Sequence, residues 1–174
     1  EPCGDFYQAL MLREAKIRVT MIDPNIRPGF IIDEPTYRTR IERMIGAADI
    51  VKISDEDLRW LRGAGDEITL AGQLITDGAA LVLVTRGADG ATAYTRDHSV
   101  FVAANKVPVV DTVGAGDTFN AGVLASLQQN GRLTKTAIRK LTQSDLEQAL
   151  ENGVRAAAIT VSRAGANPPW AHEI

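Results

Sequence analysis

Cysteine, histidine and aromatic residues are all scarce in this sequence: of 174 residues one is Cys, two are His and 5% are Phe, Trp or Tyr. A lone Cys3 has no partner for an internal disulfide, and so little thiol fits a reducing cytoplasm. Cys3 also has no histidine near it in sequence, which argues against a catalytic thiol. His98 and His172 read as surface residues and are too few for a zinc centre. The longest strongly apolar run, 79–85, is far short of the roughly 20 residues a membrane helix needs, and no apolar signal region opens the chain. No membrane partner is expected. Neither charge sign dominates: Lys and Arg total 19 against 22 Asp and Glu, for a formal charge of -3. Without a basic cluster to follow a phosphate backbone, no nucleic-acid partner is expected either.

What is present is an ordinary globular composition, 45% hydrophobic and 24% charged. Area scaling lets a chain of this size bury about 70% of its unfolded surface, so one domain with one sizeable core is the prior. Short β-rich runs alternate with longer amphipathic segments. The patterning predicts helices over 6–16, 35–47, 55–62, 66–77, 115–129 and 144–158, with strands over 18–22, 49–53, 80–85, 91–95, 99–103 and 107–110. Met11, Leu12, Ile41, Ile45, Leu124 and Leu127 fall at helical spacing and are expected in the core. Asp5 is a candidate N-cap for the first helix, and Ser144-x-x-Glu147 a candidate capping box for the last. Strand and helix in alternation imply an α/β fold: a mostly parallel sheet covered on both faces, with ligands beyond the carboxyl ends of its strands.

One segment concentrates small and acidic residues where such a fold binds ligands: Asp111-Thr112-Val113-Gly114-Ala115-Gly116-Asp117-Thr118-Phe119. It follows an apolar run and opens a helix. Three successive small residues at a helix N-terminus leave backbone amides accessible to an anion, most naturally a phosphoryl group in transfer. Asp117, in the first turn, is placed to accept a proton from an attacking hydroxyl. The third glycine of a dinucleotide fingerprint is missing, as is any G-x-x-x-x-G-K-[ST] loop, so neither a Rossmann nor a P-loop reading holds. The plain alternative is a glycine turn that lets a helix pack close to a strand.

This segment, continued by Asn120-Ala121-Gly122, resembles the second signature of the ribokinase-like, or PfkB, carbohydrate kinases. Asp23-Pro24-Asn25-Ile26-Arg27-Pro28 and Val51-Lys52-Ile53-Ser54-Asp55-Glu56-Asp57-Leu58 are most similar to bacterial fructokinases. The resemblance implies a ribokinase-like three-layer α/β/α fold. It implies Asp117 as the base, and Gly114, Ala115 and Gly116 as the anion hole. Asn25 and Arg27 would lie near the substrate and the phosphates. Thr85, Gly87 and Gly90 would contact the nucleotide, with Val107 and Val154 about the adenine. Related kinases carry Asn-x-x-Glu to help hold magnesium and phosphates through water. Here Ser54-x-x-Asp57 stands in its place, with Glu56 adjacent. A monovalent cation, potassium, would be held by Asp111 and the carbonyls of Val113, Thr160, Arg163 and Gly165, although Asn167-Pro168-Pro169 lacks the serine that can complete such a site.

The function so implied is ATP- and Mg²⁺-dependent phosphorylation of a sugar hydroxyl, with fructose the leading acceptor. A 2-keto-3-deoxygluconate or nucleoside kinase of the same fold is one alternative. The chain opens on Glu1 rather than Met, and the whole of residues 1–174 resembles the C-terminal part of such a kinase, without the N-terminal strands, the β-lid and most sugar contacts. A nucleotide-binding fragment without activity is therefore the other alternative. Without the N-terminal strands an exposed sheet edge would favour a homo-oligomer.

Overall fold

The computed structural model describes residues 2–174. In chain order the elements are α1 (Pro2–Glu14), β1 (Met21–Ile22), α2 (Glu34–Ile45), β2 (Ile50–Ser54), α3 (Asp55–Arg62), α4 (Glu67–Asp77), β3 (Leu81–Thr85), β4 (Ala91–Tyr94), β5 (Ser99–Val102), α5 (Ala115–Gln129) and α6 (Gln143–Val161). The strands form a five-stranded sheet in sequence order, β1-β2-β3-β4-β5. β1, β2 and β3 run parallel, while β4 and β5 return antiparallel beside β3. The sheet is thus mixed, with its parallel half holding the crossover helices.

Apart from Lys52 and the terminal Ser54 and Thr85, β2 and β3 are apolar on both faces because both faces are covered. Val51, Ile53, Val82 and Val84 face a core with Ile41, Ile45, Leu58, Leu70 and Leu74 from α2, α3 and α4. Ile50, Leu81 and Leu83 face the opposite way, toward Phe119, Val123, Leu127, Leu146, Leu150 and Val154 from α5 and α6. The result is three layers. Of the six expected core positions, Met11, Ile41, Ile45 and Leu127 are buried, while Leu12 and Leu124 are partly covered.

Side chains set where the helices begin. Asp33, Ser54 and Asp66 cap α2, α3 and α4, each accepting the amide of the residue three positions on. α6 starts from Thr142, whose Oγ1 accepts the Asp145 amide at 3.2 Å while Asp145 Oδ2 accepts the Thr142 amide at 2.8 Å. The capping box is therefore Thr142 with Asp145, and Ser144 and Glu147 lie inside the helix. Asp5 is likewise not a cap: it sits within the first turns of α1, bonded to Arg40 at 2.9 Å. The run 107–110 forms no strand, and Val109 and Val110 are exposed. Its one backbone tie to a neighbouring element is from the Val110 amide to the Val161 carbonyl, 2.8 Å. Apolar composition alone does not make a strand, and among the described residues 107–110 has no ladder partner. β1 is shorter than expected for a related reason: the Thr20 amide donates to the Asp49 side chain at 3.0 Å instead of joining a ladder. Among the described residues no helix is long and apolar enough to cross a membrane.

Candidate active site

The carboxyl ends of β2 and β3 and the N-terminus of α5 share one end of the sheet. Gly114 is the N-cap of α5 and adopts φ 80°, a left-handed conformation open to glycine at little cost. It carries no side chain to cap the helix, unlike the residues that open α2, α3, α4 and α6. The Ala115 amide donates to the Thr112 carbonyl at 3.3 Å, no side chain caps the next first-turn amides of α5, and Asp117 stands exposed in that turn. Thr118 locks the turn from behind, donating from Oγ1 to the Gly114 carbonyl at 2.8 Å.

Beside this turn lies a mostly apolar cavity of about 550 Å³, within the usual range of a small-molecule pocket. Thr85, Gly87, Gly90, Val107 and Val154 all line it, together with Ala115 and Gly116. Gly114 and Asp117 stand next in sequence to that wall but are not part of it, and Asn25, Arg27, Ser54 and Asp57 lie outside it. The loop carrying Gly87 and Gly90 is anchored by Arg86. Its guanidinium is bonded to the Glu67 carboxylate and the Thr92 hydroxyl and lies 5.6 Å from the centre of the Phe101 ring. Glu67 also accepts from the Tyr94 hydroxyl at 2.6 Å, and burial first, then this bond, pushes the Tyr94 hydroxyl up to about 12.

Several of the residues expected near metal and substrate are tied to backbone. Ser54 caps α3, and Asp57 Oδ2 accepts the Ile26 amide at 3.2 Å, so α3 holds the turn that carries Asn25 and Arg27. Asn25 itself has φ 44°, a left-handed conformation that asparagine tolerates better than most residues. Arg27 is exposed and donates to the neighbouring Ile26 carbonyl at 2.9 Å. Asp111 accepts the Val113 amide with Oδ1 and the Gly165 amide with Oδ2, both at 3.0 Å. These two bonds hold its carboxyl below the usual aspartate range. The Thr160 carbonyl accepts the Arg163 amide at 3.1 Å. Oxygens expected to surround a cation are thus engaged in closing two turns against each other.

A family model described as pfkB family carbohydrate kinase matches residues 2–173. The chain belongs to the pfkB carbohydrate kinases. A fructokinase of Rhizobium leguminosarum bv. trifolii is 54% identical over 152 residues, covering 87% of this chain and 45% of the relative. In structure this pfkB chain is similar to a fructokinase with bound ATP from Xylella fastidiosa, with TM-score 0.82 and 28% identity, over 94% of this chain and 52% of that one. It is also similar to a fructokinase double mutant from Vibrio cholerae O395 in a fructose, ADP and potassium ion bound form, with TM-score 0.77 and 26% identity, over 91% and 49% of the two chains. The pfkB chain spans about half the length of these relatives.

Sequence reasoning missed several walls of the pfkB cavity, among them Thr112, Phe119, Ala157 and Val161. Val154, Ala157 and Val161 recur at helical spacing, but the expected helix stopped at 158 and hid the stripe. Lys52 was missed for a different reason. It is a buried cation in a strand that is otherwise apolar as far as Ser54, and its ammonium is bonded to Asp23 Oδ2 at 2.9 Å beneath the glycine turn. A charge at an inward-facing strand position was the signal available.

Proposed function

We propose that this chain carries the ATP-binding and phosphoryl-transfer part of a sugar kinase whose acceptor is fructose. The observation that carries the reading is the uncapped Gly114-Ala115-Gly116 turn at the cavity wall with Asp117 in the first turn of α5. In this reading Val107 and Val154 flank the adenine, and Thr85, Gly87 and Gly90 let the nucleotide approach backbone closely. An acceptor hydroxyl oxygen attacks the γ-phosphorus as the bond to the β-phosphate oxygen breaks. Its proton passes to the Asp117 carboxylate, and ADP leaves. The amides of Gly114, Ala115 and Gly116 meet the charge that develops on the transferred group. Asn25 and Arg27, on the turn held by Asp57, would face the substrate and phosphates. The 54% identity to a Rhizobium fructokinase supports fructose as the acceptor.

Among the described residues no group of three or more His, Cys, Asp or Glu could hold a metal ion. Magnesium dehydrates reluctantly and is held through phosphates, water and one or two carboxylates, and in this reading Asp57, with Glu56 next to it in sequence, would meet it through water. When bound it would neutralise phosphate charge. A potassium ion would be met by Asp111 and the carbonyls of Val113, Thr160, Arg163 and Gly165, of which Asp111 and the Thr160 carbonyl also accept backbone amides.

Calorimetric titration of the chain with Mg-ATP tests the nucleotide part of this reading. Saturable binding, displaced by ADP, is expected; no binding would refute it.

A further inference from the structure

Lys52 lies in the middle of β2, on the face shared with Ile50 and covered by α5 and α6, and its side chain is only 9% exposed. An apolar residue would fill that position without desolvating a charge, and exchanging a buried ion pair for apolar groups is often neutral or stabilising. The ammonium is held by Asp23 Oδ2 at 2.9 Å, and the same oxygen accepts Asn120 Nδ2 at 3.1 Å. Asn120 Oδ1 is buried without a partner among the described residues. On its other side the ammonium lies against the glycine turn: a Cβ placed on Gly116 would come within 3.1 Å of Lys52 Nζ. Gly116 thus lets a buried cation approach the backbone that forms the anion hole. Asp23 follows β1 directly and is two residues before Asn25, so the same cation also fixes the start of the turn expected at the substrate.

We propose that Lys52 is a positioning residue of the phosphoryl-transfer site. It sets the positive potential beneath the Gly114–Gly116 amides, and through Asp23 it holds the 23–27 turn in register with them. This rests on the reading of that turn as a phosphate site and adds a residue to it. A fixed cation a few ångströms behind an anion site in a partly screened interior is worth about tenfold or more in affinity for a charged ligand, and almost nothing for a neutral one.

The test compares ATP with adenosine, which fills the same cavity without phosphates, by calorimetric titration of wild-type chain, Lys52→Met, and the double variant Lys52→Met/Asp23→Asn. The double variant removes the charge that Lys52→Met would leave unpaired, so it carries the test even where the single variant melts early. Both variants should lose about tenfold or more in ATP affinity while adenosine binding stays within about twofold. A double variant with wild-type ATP affinity would overturn the proposal, because Lys52 would then only neutralise Asp23. Equal losses for ATP and adenosine would overturn it as well, by showing a general role in packing. A wild-type chain that binds adenosine but not ATP would remove the phosphate-site reading itself, and the role of Lys52 with it.

Discussion

Asp111 opens the signature segment, yet both of its oxygens accept backbone amides, Val113 on one side and Gly165 on the other. One side chain thereby ties the turn before α5 to the turn after α6. Because its folded pKa lies below the ordinary 3.8, the carboxylate contributes stability that is present above that value and lost as pH falls through the lowered one. Acidification below about pH 3.8 should therefore lower the protection of the Gly165 amide relative to its intrinsic exchange rate at each pH, as hydrogen-exchange NMR would show. Asp111→Asn should exchange faster at neutral pH and show no such acid step; an unchanged profile would separate Asp111 from the tie. At this scale the signature was legible because its chemistry is local: small residues and an aspartate at a helix start carry their own meaning. Lys52, Asp23 and Asn120 were not, since their meeting depends on which face of β2 lies under α5, and that is decided by packing far away in sequence.

Helix starts separate what is legible from what is not at the level of elements. α3 begins at 55 as the patterning predicts and α4 one residue later than predicted, because Asp66 is its cap and not its first helical residue. For α6 two nested patterns compete, Thr142-x-x-Asp145 and Ser144-x-x-Glu147, and the structure uses the first. Arg132 favours that outcome: its Nε donates to Asp145 Oδ1 at 2.9 Å, which holds the carboxylate in place for the Thr142 amide. Thr142→Ala should lower unfolding free energy by about 1 kcal/mol, and Ser144→Ala should change it by less than about 0.5 kcal/mol. Denaturant midpoints of the two variants check this, and the reverse order would assign the cap to Ser144. The 107–110 run shows the opposite failure. Its β-branched residues look like a buried strand, but the segment is tied to the end of α6, where the Val161 carbonyl accepts the Val110 amide, and it joins no ladder.

The whole chain has 9641 Å² of accessible surface, roughly a sixth more than the about 8,300 Å² that scaling assigns to a monomer of this mass. Phe6, Tyr7, Ile17, Phe30 and Ile32 are all more than 60% exposed, on and around the elements that flank β1. β1 is an outer strand of only two residues, so its free edge is short but unprotected. Concentration-dependent association of the isolated chain is expected in sedimentation velocity, whereas a monodisperse monomer over a wide concentration range would contradict it. The fold class is readable from alternation and the candidate site from one motif, whereas the apolar residues exposed around β1 follow from no local pattern.

The central claim is that Asp117 takes the acceptor's proton beside an ATP site built from this chain. The most direct measurement is fructose phosphorylation by a chimera that joins the chain to the remaining part of the Rhizobium fructokinase, with and without Asp117→Asn. The account predicts ATP-dependent turnover that falls by about 10²-fold or more in the variant while ATP affinity stays within about twofold. Near-normal turnover with asparagine at position 117 would contradict it.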